Sequence, residues 1–377
     1  MSEETVQLVA QCLCKARTYT SSLPSSALPL SASCCHCDSC RHLLGTLYLS
    51  DVKWPNKDED LSALEKYSFS KNLNKFFCKQ CGSHMFSRGT KSGSVPWVLT
   101  GVLGKTPNLI RYDNHTYVGD TVDGGLSPWF RIPHSDGTYP KFWREDKDGD
   151  EVSPESFTQN TPPGPGAVAS PEPTRFRCHC RGVDLVLRSA ADMAGRPDAE
   201  LPWFVKPKTY KYASTLDACN SCRVWVGSDL MSWTFANLSH IHFAAGTGGD
   251  GSVETQLPSS TALPQTVSDL REAVTVDAKD RDPRLGTLAA YQSSHDVWRY
   301  HCSRCGASVF YAVDDRPDLV DIGVGLLEHP GGARAEGLLA WSLTRVGGED
   351  DSKGGWREGL ASGVEEEIKK WRIARGY

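Results

Sequence analysis

The sequence lacks long apolar runs, basic runs and an N-terminal leader pattern. No stretch of its 377 residues approaches the roughly 20 apolar residues that a membrane-spanning helix needs. The start, Met1-Ser2-Glu3-Glu4, has no basic segment followed by an apolar one, so we expect no secretory signal. The net charge is −5 and no lysine- or arginine-rich run stands out, which argues against a nucleic-acid partner. These absences predict a cytoplasmic protein and leave the nucleus open as a location.

Helical periodicity is also scarce. Most of the first half is rich in Gly, Pro, Asp and aromatic residues, a composition typical of short strands and loops. A convincing helical pattern occurs at residues 363–375, where Val364, Ile368 and Trp371 recur at helical spacing. With 39% hydrophobic residues the chain can bury ordinary globular cores, and its length fits about two domains. We therefore expect a mainly β protein with a short C-terminal helix.

Cysteine, by contrast, is abundant, with 14 residues. Without secretion, so many thiols are more typical of metal ligands than of disulfides. Cys35, Cys37 and Cys40 fall so close together that one tight turn can direct all three at one point. Three thiolates leave a tetrahedral zinc ion with one free position, as in catalytic zinc sites. The alternative is a closed structural site, in which His36 or His84 supplies the fourth ligand.

Two thiol pairs flank this central triad. Cys12/Cys14 and Cys78/Cys81 together make a complete four-sulfur set, which is typical of a structural zinc ion in a loop-rich β domain. An iron–sulfur cluster is the other metal centre that four cysteines can hold. A redox Cys-x-x-Cys is less favoured, because no βαβ pattern surrounds the second pair.

The second half repeats this framework. Cys178/Cys180 and Cys302/Cys305 match the outer pairs, and Asp217, Cys219 and Cys222 match the central triad. Aspartate is a harder ligand than a thiolate, so we expect the second centre to be inactive or altered. The other interpretation is that Asp217 keeps a metal ion there and both halves work. The predicted organisation is a module over 1–144, a linker over 145–174, and a degenerate module over 175–377 with an insertion at 224–287 and the C-terminal helix.

The ordered spacing Cys12-x-Cys14, Cys35-His36-Cys37-x-x-Cys40-Arg41 and Phe77-Cys78-x-x-Cys81-Gly82 resembles the glutathione-dependent formaldehyde-activating enzyme family, which includes centromere protein V. The resemblance implies two tandem β-tent modules, each a zinc-ribbon-like core within small, coiled antiparallel sheets. It implies a structural zinc on the outer four cysteines and, on the central three, a catalytic zinc that can be lost or moved when glutathione binds. Departures from the family pattern are Lys15, Arg181, Asp217 and the tandem arrangement.

The activity that the resemblance implies is carbon–sulfur lyase chemistry. We therefore predict a zinc-dependent lyase acting on a glutathione or other thiol adduct of the S-hydroxymethylglutathione type at Cys35, Cys37 and Cys40. Arg41 offsets the charge of the thiolates, binds a substrate carboxylate or forms a structural salt bridge. The cofactors are two structural zinc ions and one exchangeable ion, with a fourth at Asp217, Cys219 and Cys222 left in doubt.

The alternative prediction is a non-catalytic, zinc-stabilised module that binds other proteins. It is motivated by the degenerate second copy and by the aromatic residues between Trp129 and Trp143. The two hypotheses differ in whether the central zinc needs an exchangeable ligand position.

Overall fold

Short strands make up most of the first half. We analysed a computed structural model, which describes residues 4–153, 156–157, 166–244, 262–277 and 279–376. The first half contains β1 (Thr5–Gln11), β2 (Thr18–Pro24), β3 (Leu30–Cys35), β4 (Leu49–Lys53), β5 (Glu65–Ser70), β6 (Leu73–Phe77), β7 (His84–Gly89), β8 (Pro96–Leu99), β9 (Ile110–Thr116) and β10 (Lys141–Phe142). Helix α1 (Asp38–Leu44) lies between β3 and β4.

The second half is built in the same way. Its strands are β11 (Thr174–Arg177), β12 (Asp184–Leu187), β13 (Tyr212–Asp217), β14 (Met231–Asn237), β15 (Ile241–Phe243), β16 (Leu288–Ser294), β17 (Val297–Cys302), β18 (Ser308–Val313), β19 (Leu319–Gly323) and β20 (Leu339–Trp341). Its helices are α2 (Asn220–Val226), α3 (Val267–Thr275) and the C-terminal α4 (Leu360–Ala374). Within the described residues, no helix has the length and apolar character to cross a membrane. The predicted mainly β fold with a C-terminal helix is confirmed.

The two large sheets have matching strand orders. One runs β10-β9-β3-β4-β8-β7-β6-β5, and the other runs β20-β13-β14-β19-β18-β17-β16 in the equivalent sense. Both contain a parallel contact at the same place, β3 with β9 and β13 with β20. The first sheet has a second parallel contact, between β9 and β10, and the remaining neighbours in both sheets are antiparallel. Both also carry a register shift in the hairpin that precedes the last thiol pair, at Ser68/Ser70 and at Gln292/Ser294. The shared irregularity supports the internal repeat, because a bulge is set by local sequence.

The repeat extends into the segment predicted as an insertion. Helix α2 and strand β14 lie partly or wholly within 224–287, yet they correspond to α1 and β4. The residues that have no counterpart in the first half therefore lie between Asn237 and Leu288. Much of that stretch, 245–261, is outside the described residues, as is 158–165 of the predicted linker.

The two halves share one hydrophobic core. The larger cluster of buried residues contains Leu43, Leu44 and Phe130 from the first half together with Trp225 and Phe310 from the second. Of the aromatic residues that motivated the protein-binding alternative, Trp129 and Phe130 belong to this cluster. Phe142 and Trp143 are buried outside it, and Tyr139 is 46% exposed. Trp129 is fully buried and its ring makes edge contacts with Trp341 and with Trp371 of α4. The four buried aromatic side chains of this segment therefore stabilise the fold and do not form an exposed binding surface.

The contact between the halves is reciprocal. The N–H of Gly101, which follows β8, donates to the carbonyl of Gly227 at the end of α2 (2.9 Å). The N–H of Gly325, which follows β19, donates to the carbonyl of Gly45 at the end of α1 (3.1 Å). Each half therefore packs against the triad helix of the other, as two copies do about a twofold axis.

Candidate active site and metal centres

The outer cysteines come together as the sequence predicts. The sulfur atoms of Cys12, Cys14, Cys78 and Cys81 all lie within 4.8 Å of one another, and those of Cys178, Cys180, Cys302 and Cys305 do the same. The closest pairs are 3.4 Å apart in the first set and 3.5 Å in the second. A tetrahedral zinc with Zn–S bonds of about 2.3 Å requires sulfur atoms about 3.8 Å apart. Both sets therefore fit a zinc ion bound by four thiolates.

Each sulfur set contains a thiol that loses its proton readily. Hydrogen bonds from neighbouring thiols lower the pKa of Cys81 in the first outer set and the pKa of Cys302 in the second. No described cysteine takes part in a disulfide. Clustered thiols that share protons in this way are suited to exchange them for a metal cation.

The central triad of the first half surrounds the start of α1. Cys35 ends β3, Cys37 caps the helix by accepting a hydrogen bond from the N–H of Cys40, and Cys40 lies in the first turn. The three sulfur atoms lie within 4.8 Å of one another, and those of Cys35 and Cys37 are 3.4 Å apart. Cys35 and Cys37 are half-buried, whereas Cys40 is buried. The arrangement fits a zinc ion held from one side, with the other side facing the exposed edge of the triad.

The histidines considered as a fourth ligand do not join this group. His36 is fully buried and its Nε2 lies 2.8 Å from Nδ1 of His115. His84 is fully buried beside the Phe77 ring. Among the described residues, the sulfur atoms of the central triad have no histidine or carboxylate partner within metal-binding distance. Three ligands from the protein favour the open site over the closed one.

Positive charge accompanies the triad. Hydrogen bonds from Cys35 and Cys40, aided by the charge of Lys75, lower the pKa of Cys37 to about 3 although burial opposes the shift. Lys75 lies on β6 and is only 2% exposed. Arg41 is also buried and forms a salt bridge with the exposed Asp38. A structural salt bridge was one of the three roles predicted for Arg41, and this ion pair agrees with that role.

Other residues near the triad were missed by the sequence analysis. Tyr117 and Asp120 follow β9, and the thiolate of Cys37 helps to raise the pKa of both groups, in which burial is the largest cause. No sequence motif marks Tyr117 and Asp120. They come near the triad because β9, which precedes them, pairs in parallel with β3, which ends at Cys35. Lys75 had a signal in the sequence, namely its alignment with Arg299 in the repeat.

The second centre has the same backbone and different chemistry. Oxygen and sulfur atoms of Asp217, Cys219 and Cys222 lie within 4.8 Å of one another. Asp217 accepts a hydrogen bond from the N–H of Cys219 (2.7 Å). The Arg299 guanidinium lies 3.9 Å from the Cys222 sulfur and 5.0 Å from the centres of the Trp225 and Tyr311 rings. The second centre, which has one thiol fewer than the first, therefore has the positive charge of Arg299 beside it.

The chain was also compared with known proteins. Residues 7–120 match the family model described as glutathione-dependent formaldehyde-activating enzyme. A protein of the fission yeast Schizosaccharomyces pombe, described as an uncharacterized lyase, is 29% identical over 114 residues, which cover 30% of this chain and 79% of the yeast protein. Both the matched residues and the order of the cysteines agree with the resemblance drawn from the sequence. Residues 7–120 of this chain are thus similar to the glutathione-dependent formaldehyde-activating enzyme family.

Proposed function

We propose that this protein is a zinc-dependent carbon–sulfur lyase that acts on a glutathione-type thiol adduct at Cys35, Cys37 and Cys40. The observation that carries the proposal is the contrast between this three-sulfur group and the two four-sulfur groups. The family match and the lyase name of the yeast relative support the same class of reaction. In the direction of synthesis, the substrate thiol gives up its proton and its sulfur forms a bond to the formaldehyde carbon, while the carbonyl π bond breaks and the oxygen takes up a proton; cleavage is the reverse.

The chain supplies both the ligands and the compensating charge. When bound to these three thiolates, zinc provides a Lewis-acidic position suited to a substrate thiolate. Three thiolates and Zn²⁺ leave a net negative charge, which the buried Lys75 offsets. Arg41 adds a second positive charge on α1, shared with Asp38. We assign Lys75 and Arg41 to holding the centre and its charge, without contact to the reacting carbon.

The remaining metal groups have other roles in this proposal. The two four-sulfur sets, one in each half, hold structural zinc ions that stabilise the fold of that half. The group at Asp217, Cys219 and Cys222 has one thiol fewer and a neighbouring guanidinium, so we assign no turnover to it.

The matched cysteines of the two halves provide the test. We expect Cys37→Ser to lower the rate of S-hydroxymethylglutathione formation by at least about a hundredfold, because it removes a ligand of the active centre. The corresponding change in the second half, Cys219→Ser, should leave that rate within about twofold. The rate is measured by exchange NMR in mixtures of glutathione and formaldehyde. Equal loss of activity in both variants, or no activity in the unaltered protein, would contradict the proposal.

A change in an outer set separates chemistry from folding. We expect Cys78→Ser to lower the unfolding temperature of the protein, whereas Cys37→Ser should leave it nearly unchanged. The reason is that Cys78 is buried within a closed set joining β1 to β6, while the triad has a half-exposed edge. If both variants unfold alike, the distinction between an open and a closed centre is wrong.

A further inference from the structure

The thiol pair of the second half lies beside the triad helix of the first. Between Cys178 and Cys180 stands His179, whose N–H donates to the carbonyl of His42 at 3.0 Å. In the other direction, Nδ1 of His42 lies 2.7 Å from the carbonyl oxygen of Arg177. His42 belongs to α1, the helix that carries Cys40 and Arg41. The second half is thus fixed against the same helix that holds the central triad.

The imidazole of His179 is held by the first half. Its Nδ1 lies 2.7 Å from the Tyr67 hydroxyl in a hydrogen bond, and its ring stacks on Phe69 with centroids 4.5 Å apart. Tyr67 and Phe69 lie on the same face of edge strand β5. Nε2 of His179 makes no hydrogen bond within the described part of the chain, and the side chain is only half-buried. The ring is therefore held on one side and available on the other.

The His179 ring is connected to the surroundings of the central triad through Phe69 and Lys75. The amine of Lys75 lies 5.5 Å from the centre of the Phe69 ring, on which the imidazole also stacks. The positive charge of the same amine helps to lower the pKa of Cys37. Phe69 therefore links His179 to Lys75, and the backbone of His179 is hydrogen-bonded to His42 of the triad helix α1.

The second centre provides an internal comparison. At the positions equivalent to His179, Phe69 and Tyr67 it has Leu13, Ser293 and Tyr291. The outer sulfur set around Leu13 closes as well as the one around His179. A structural zinc site therefore does not require the imidazole, and the histidine is present only beside the centre that keeps all three thiols.

We propose that the second half completes the thiol-binding site of the first, with His179, oriented by Tyr67 and Phe69, forming a wall that positions the peptide part of a glutathione-type substrate. This inference rests on the proposed function, and it assigns His179 as a positioning residue, with no part in proton transfer. The degenerate half is then required for substrate binding although its own centre is silent. The free imidazole nitrogen suits a carboxylate or amide oxygen of the substrate, with which it shares a hydrogen bond.

The test uses His179→Leu in the full chain, because Leu13 shows that leucine is tolerated at this position. Binding of S-methylglutathione is measured by calorimetry, since this thioether lacks the thiolate that would bind the metal. We expect its Kd, and the KM for S-hydroxymethylglutathione, to rise about threefold to tenfold, the effect of one lost hydrogen bond. The value of kcat should change less than twofold, and zinc content and unfolding temperature should not change. Leu13→His at the other centre is the matched control and should alter none of these values.

Tyr67→Phe tests the same wall without altering the thiol pair. It should raise Kd and KM in the same direction, and combining it with His179→Leu should add little, because the hydroxyl acts through the imidazole. Tyr291→Phe is its control. Unchanged Kd and KM in both variants, or a fall in kcat or zinc content alone, would overturn the proposal; if His179→Leu does not fold, Tyr67→Phe decides. Absence of turnover in the unaltered protein, with S-methylglutathione binding still dependent on His179, would refute the lyase function and keep the binding site.

Discussion

At the scale of single residues, the two centres differ in a small number of side chains on nearly the same backbone. Cys37 and Cys219 both cap a short helix by accepting a hydrogen bond from the residue three positions on. The ligand at the end of the preceding strand is Cys35 in one half and Asp217 in the other. The cation that acts on the first centre is Lys75. The cation near the second centre is Arg299, which lies against two aromatic rings. The chemical difference between the halves therefore lies in side chains and not in the fold.

Restoring the missing thiol should restore a metal site. We expect Asp217→Cys to raise the zinc content of the purified protein from about three to about four ions per chain, because three thiolates then converge as they do at Cys35, Cys37 and Cys40. Zinc is measured by plasma emission spectrometry on protein purified without chelator. The control Asp217→Ser, which offers no thiolate, should stay at about three.

A value of about three zinc ions in Asp217→Cys would contradict this prediction. The obstacle would then be the guanidinium of Arg299, which lies 3.9 Å from the Cys222 sulfur, and not the missing ligand. The double variant Asp217→Cys/Arg299→Lys, which copies both positions of the first centre, separates these two causes.

At the scale of elements, the close contact between each triad helix and the opposite half depends on glycine. A Cβ atom on Gly325 would lie 2.2 Å from the carbonyl oxygen of Thr46, and one on Gly101 would lie 2.4 Å from that of Arg223. Both contacts are with backbone, which cannot rotate away as a side chain can. The carbonyl of Gly101 also accepts a hydrogen bond from Arg223 (2.6 Å). The turns at Gly325 and Gly101 therefore fix the positions of α1 and α2 against the opposite half.

We expect Gly325→Ala to lower the free energy of unfolding by about 2 kcal/mol or more. The added methyl group would push the turn at Gly325 away from the backbone of Thr46, which follows α1. The measurement is urea denaturation at a fixed zinc concentration. Gly104→Ala is the matched control, since its Cβ would meet nothing closer than the carbonyl oxygen of Val9 at 3.8 Å. It should change stability by about 1 kcal/mol or less. Similar losses in the two variants would show that the close approach is not what holds the helix.

At the scale of the whole molecule, the two halves form one folded unit. Buried side chains of both halves contribute to the larger hydrophobic cluster, and buried polar groups also pair between the halves. The carboxylate of Asp229, fully buried, accepts hydrogen bonds from Arg357 (2.6 Å) and from Thr100 of the first half (2.5 Å). A buried carboxylate that lost these partners would destabilise the core. The second half therefore cannot be removed without exposing the interior of the first.

The number of zinc ions in the whole chain tests the assignment of its four groups. We expect about three ions per chain after purification without chelator, falling to about two after dialysis against glutathione, because only the ion at the open centre can exchange a ligand for the thiol. The Cys37→Ser variant is the control and should contain about two ions under both conditions. A steady value of about two in the unaltered protein would mean that the central triad holds no metal, and a value of about four would mean that Asp217 supports a site.

The sequence by itself determined which residues form the four candidate metal groups, because thiols at fixed short spacings lie close together in any tight turn. It also determined the repeat and the C-terminal helix, through positions that recur at fixed intervals. The prediction that the central group has three protein ligands followed from the spacing of Cys35, Cys37 and Cys40 alone. Only the tertiary structure decided that the halves share a core, that Trp129 is interior, and that His179 and Tyr67 meet beside the triad. These contacts join residues more than a hundred positions apart across two packed halves, and no local pattern encodes such a distance.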